Sequence, residues 1–200
     1  MRARTRGPRS FDAVAVGQRE ADAWSAYYRH DWVAFMRASV GMVAAGFGMN
    51  RLDTVRGAWL VLRANQAWAP YPHNDPGRAR ELMRRFYALV ASTADLPLEP
   101  TRAAALEVEW WRVHREHQYD AGAVTTEALV EALVALYAYV YSAEPDLVRP
   151  AARWRVEAMD HSDEWVRGGC SLGDPRLSEV RRALVASYAA LLDAAVRAGV

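Results

Sequence analysis

The chain contains no lysine, no isoleucine and only one cysteine. All 25 basic residues are therefore arginine, and alanine fills 38 of the 200 positions. Arginine for lysine, with alanine and valine for isoleucine, is the mark of a GC-rich coding bias, so a given arginine is weak evidence of function. A lone Cys170 excludes an intramolecular disulfide and any cysteine-based zinc site. It stands beside Gly168 and Gly169 with no base spaced to activate it, which predicts an inert thiol.

Other absences narrow the function classes. The 25 basic and 24 acidic residues leave a net charge of +1, against the basic face of a dedicated nucleic-acid binder. The most apolar stretch, Val33–Met49, is interrupted by Arg37 and falls short of the roughly 20 residues a membrane-spanning helix needs. The opening segment carries Arg2, Arg4, Arg6 and Arg9 with no apolar run after it, unlike a secretory signal. These features predict a cytoplasmic protein without membrane or nucleic-acid partners: a basic, disordered tail over residues 1–19 and one domain over 20–200. There is no glycine-rich phosphate loop, no Gly-x-Ser-x-Gly elbow and no strand-like alternation of useful length. The oligomeric state is open, and a homo-oligomer is compatible with the sequence.

What is present reads as helix. An acidic residue precedes proline at Asp75-Pro76, Glu99-Pro100, Glu144-Pro145 and Asp174-Pro175. An acid at the N-cap meets orphan backbone N–H groups, and proline at the first helical position loses no hydrogen bond. Asp53-Thr54 and Thr125-Thr126 offer two further starts. The apolar period between these signals is helical over 20–46, 54–68, 76–93, 100–119, 125–142, 145–167 and 175–198. The fold class is therefore all-α, a single-domain bundle of about seven helices. A shift of 50 residues aligns Glu81, Tyr87, Ala88, Val90, Ser92, Pro100 and Glu107 with identical residues at 131, 137, 138, 140, 142, 150 and 157. A duplicated helical hairpin, 81–118 and 131–168, would produce this match, although capping signals alone account for part of it.

The eight tryptophans are the composition's unexplained surplus, and four of them mark two chemistry-rich helices. In the first, Glu107, Trp111, His114 and Gln118 lie on one line, with Trp110 and His117 on the next. In the second, Trp154, His161 and Trp165 share a line beside Glu157 and Asp160. A third cluster, Tyr27-Tyr28-Arg29-His30-Asp31, places Tyr28 and Asp31 on an aromatic stripe. A carboxylate buried among tryptophans costs several kcal/mol, on the order of 3–5, unless it finds a partner. This points to a small-molecule enzyme. Glu107, His114, Glu157 and His161 are its candidate catalytic residues, and Trp110, Trp111, Trp154, Trp165, Tyr28 and Asp31 its candidate substrate-binding wall. The same four acids and imidazoles are the candidate metal ligands, and iron or haem the candidate cofactor. An iron-dependent oxidoreductase is the most specific form of this reading. No Glu-x-x-His occurs in the chain, so the usual di-iron bundle pattern is not met. The alternative is a non-catalytic bundle that binds a hydrophobic ligand or a partner protein, its Glu, His and Arg residues purely structural. Trp68–Pro76, stiffened by three prolines and carrying Tyr71 and His73, is either a rigid connector or a site wall.

Overall fold

The computed structural model describes residues 7–94, 96–119 and 124–199, and among these there are eight helices and no strand. They are α1 (Ala13–Tyr28), α2 (Trp32–Phe47), α3 (Arg51–Trp68), α4 (Pro76–Ala94), α5 (Pro100–Tyr119), α6 (Thr126–Tyr141), α7 (Pro145–Arg167) and α8 (Arg176–Arg197). The all-α bundle expected from the sequence is what forms, with one helix more than anticipated. No helix among the described residues is long and apolar enough to cross a membrane.

Capping explains most boundaries. The Glu99 carboxylate accepts from the backbone N–H groups of Thr101 and Arg102 at 2.8 and 2.6 Å, and Asp75 accepts from Arg78 N at 2.8 Å. The Thr125 hydroxyl accepts from Ala128 N. The start expected at Asp53 lies at Arg51, because the Asn50 side chain takes the cap by accepting from Asp53 N at 2.9 Å. The extra helix comes from the expected span 20–46, which is two helices. His30 adopts a left-handed backbone (φ 55°), and the Asp31 side chain then accepts from Ala34 N at 2.9 Å, starting α2. Apolar periodicity runs through both sides of the break and does not reveal it.

Each helix packs on its neighbours in sequence, and α8 returns to pack on α1, so the eight close into a ring. The closing seam is antiparallel: Gly17 abuts Val185, while Asp22 meets the Arg181 guanidinium at 3.1 Å. A Cβ at Gly17 would sit 2.8 Å from the Val185 backbone, so only glycine allows the two helices to approach this closely. Of the expected basic tail, residues 1–6 lie outside the described residues. The rest is ordered structure: Phe11 is buried edge-on against Tyr188, Arg9 donates to the Ser142 hydroxyl at 3.3 Å, and α1 begins at Ala13 instead of residue 20.

The proposed duplication matches the helices only in part. Moving α4 by 50 residues starts it at 126, where α6 starts, but moving α5 starts it at 150, inside α7, so Pro100 opens a helix where Pro150 lies within one. The paired glutamates do not play equivalent parts, as described below.

Candidate functional site

The inner faces of all eight helices meet around a cavity of about 210 Å³. Its walls are mainly apolar and aromatic, with Trp24, Phe35, Phe47, Phe86, Trp110 and Trp111 among them. Only three lining residues carry charge: Glu20, Glu107 and Arg155. A smaller cavity of about 80 Å³ shares Trp24, Phe35, Asn65, Trp110 and Trp111 with the first and continues toward His114, Arg115 and Gln118.

Glu107 reaches the main cavity from α5, on the line of residues that the sequence pattern turns inward. Its carboxylate accepts the Tyr87 hydroxyl at 2.7 Å and, one turn along its own helix, the Trp111 indole N–H at 3.1 Å. These neutral donors leave two of its roughly four lone-pair sites unused. Burial pushes the Glu107 carboxyl above the usual range, opposed by the Tyr87 hydrogen bond and the Arg155 charge. The Trp110 indole N–H favours the anion more weakly, from outside hydrogen-bond geometry. The folded protein holds this proton more tightly than the unfolded chain does. The stability it confers is therefore complete below the ordinary glutamate value of about 4.3 and is lost as pH rises through the raised value. Glu107→Gln, which cannot ionise, is expected to gain stability relative to the native protein as pH increases through that window. Urea denaturation at a series of pH values measures the difference.

The second charged element is a buried pair. The Arg155 guanidinium donates to both oxygens of Glu20, Nη1 at 3.1 Å, and the Tyr188 hydroxyl donates to Glu20 Oε2 at 2.6 Å. Both charged side chains are only 9% exposed. Arg155 also lies over the rings of Trp24, Trp110 and Tyr188, its Cζ 5.4–5.9 Å from their centroids. Desolvation opposes the guanidinium's charge, but the attraction of the Glu20 carboxylate outweighs it, so Arg155 stays charged.

His114 lies two turns from Glu107 on α5, roughly 10 Å along the axis at about 1.5 Å per residue. It lines the smaller cavity, and its Nε2 is 3.2 Å from Asp163 Oδ2. Gln118 donates to the other Asp163 oxygen at 2.7 Å, so α5 and α7 are clamped together through a buried carboxylate. The Tyr28 hydroxyl, 3.4 Å from Gln118, completes this wall. Arg115 donates to Tyr27 at 3.1 Å and sits over Trp68 and Tyr71, which itself stacks on Tyr119 at 4.7 Å. The Trp68–Pro76 connector is thereby pinned to α5, with His73 left exposed.

The remaining expected site residues are elsewhere. Glu157 accepts from Arg182 of α8 at 3.3 Å, and His161 Nε2 is 4.0 Å from it; neither lines a cavity with Glu107 or His114. Trp154 packs against the small cluster of Ala21, Ala158, Val180, Ala183 and Leu184. Trp165 is fully buried beneath Tyr28, and its indole N–H donates to the Ser171 carbonyl at 2.7 Å. Asp31 is an exposed helix cap. Trp110 and Trp111 alone, of the four tryptophans singled out, face the main cavity. Burial raises the Cys170 thiol, in keeping with an inert group.

Sequence reasoning missed Glu20, Arg155, Tyr188, Tyr87 and Tyr137 as members of the centre. One signal was available: Tyr87 and Tyr137 match under the 50-residue shift, and both line the cavity. Tyr87 is bonded to Glu107, whereas the Tyr137 hydroxyl is buried without a hydrogen-bond partner. Among the described residues no three His, Cys, Asp or Glu side chains converge as a metal ion's ligands would. No family model, curated protein or solved structure significantly matches this chain.

Proposed function

We propose that the protein takes a small, largely apolar molecule into the centre of the helix ring and that Glu107 is the group that acts on it as a general acid–base. The observation that supports this reading is a carboxylate met only by neutral donors, with acceptor sites to spare, in a mostly apolar chamber. Pockets built this way recognise ligands by an apolar wall and a few placed polar groups. A glutamate raised by burial exchanges protons closer to neutrality, where such transfers are most effective. Trp110 and Trp111 form the wall beside it. The iron or haem form draws no such support. Glu107, His114, Glu157 and His161 are spread over the main cavity, the smaller cavity and the α7/α8 surface, and His114 Nε2 is engaged by Asp163.

A cavity-filling variant tests the reading. Val61, on the cavity wall from α3, becomes Phe. Neutral aromatic probes such as indole should raise the melting temperature of the native protein, and their affinity should fall at least tenfold in Val61→Phe. Overpacking itself costs about 1–3 kcal/mol, so each thermal shift is read against the same variant without probe. Equal binding to both proteins would place the probe elsewhere and sink the proposal. A non-catalytic binding role for the same cavity predicts the same probe result. It is separated by Glu107→Gln, which would abolish turnover in an enzyme and leave a carrier's neutral-ligand affinity intact.

A further inference from the structure

The central cavity holds two carboxylates, Glu20 and Glu107, against one guanidinium, Arg155. The guanidinium is committed: it donates twice to Glu20 and is stacked among Trp24, Trp110 and Tyr188. Glu107 receives only the neutral donors Tyr87 and Trp111. The groups around it that could change this balance are Glu20, Arg155, Tyr87, Tyr137, Tyr141 and Tyr188, and the tyrosines are all pushed up by burial, so they stay neutral near pH 7. An ionised Glu107 thus leaves the chamber one positive charge short, with open lone pairs on the carboxylate and aromatic side chains lining the space.

We infer that the molecule bound at the ring centre is an organic cation, an ammonium on an apolar body, with its N–H groups on Glu107 and its body against Trp110 and Trp111. This rests on the small-molecule reading above and specifies the ligand's chemistry. Three features of the ligand follow from the wall. An ammonium supplies the donors that Glu107 lacks and restores neutrality to the chamber. The Trp110 and Trp111 rings give the ligand's body an apolar wall beside that carboxylate. An organic anion, by contrast, would face two carboxylates and a guanidinium already occupied.

The test is a matched pair of probes on the intact protein: 2-phenylethylamine, a cation at neutral pH, and 2-phenylethanol, its neutral counterpart. Calorimetric titration is expected to give the amine at least tenfold tighter binding at pH 8. That preference should shrink as pH falls and Glu107 takes up its proton, while the alcohol's affinity stays level. In Glu107→Gln the two probes should bind alike, and in Glu107→Asp, which keeps the charge, part of the preference should return. Equal binding of amine and alcohol to the native protein would overturn the cation assignment and leave the cavity reading standing. Binding of neither probe would overturn both. A preference that persists in Glu107→Gln would move the cation off Glu107 and refute the assignment. Should Glu107→Gln fail to fold, the pH dependence of the two probes on the native protein decides alone.

Discussion

Arg155→Ala, with Glu20 left in place, is expected to lower stability by about 3–5 kcal/mol, the usual result of stranding one member of a buried ion pair. Glu20 would keep only the Tyr188 hydroxyl as a partner, in a side chain 9% exposed. The three rings that now surround the guanidinium would border a void instead. For a chain of this size each kcal/mol moves the melting temperature by roughly 2–4 °C, so a drop of about 10 °C is expected in a thermal melt. The double variant Glu20→Leu, Arg155→Met should recover most of it, because buried pairs replaced by apolar groups of similar volume are often neutral or stabilising. If Arg155→Ala melts within 2 °C of the native protein, the pair is solvated and our account of the centre fails.

Trp165→Ala is expected to cost about 3–5 kcal/mol, the range for removing a large core aromatic. The side chain has no exposed surface, packs under Tyr28, and ties α7 to the turn that follows it through the Ser171 carbonyl. Trp165→Phe should cost less, since much of the ring volume remains, but would leave that carbonyl without its indole donor. Denaturant unfolding of both variants measures this. Ligand binding should be unaffected in whichever variant stays folded, because Trp165 does not line the main cavity.

These two residues also show where the sequence was readable. Helix class and most boundaries are local matters of capping side chains and prolines, so Asp75, Glu99 and Thr125 could be read directly from their neighbours. The inner face of α5 was readable for a related reason: a carboxylate and two tryptophans at helical spacing cannot all face water without cost. Partner choice is different. Which of 25 arginines meets a buried glutamate depends on which helices become neighbours, and Arg155 to Glu20 spans 135 positions. Trp154 and Trp165 lie on the same helix as Arg155, yet the ring turns them toward α8 and the α7–α8 turn while Arg155 faces the centre. A periodicity of 3.6 shows which residues share a stripe; a helix buried between two neighbours has several such stripes, and only assembly decides which one borders the cavity.

The closed ring has a kinetic side. Of its eight principal seams, seven join helices consecutive in the chain, and only the α1/α8 seam joins distant ones. Local hairpins of helices form early and fast, whereas a contact spanning most of the chain carries the full entropy of closing that loop. The chamber is thus closed only by this one long-range seam, where Gly17 seats on Val185 and Glu20 meets the Tyr188 hydroxyl.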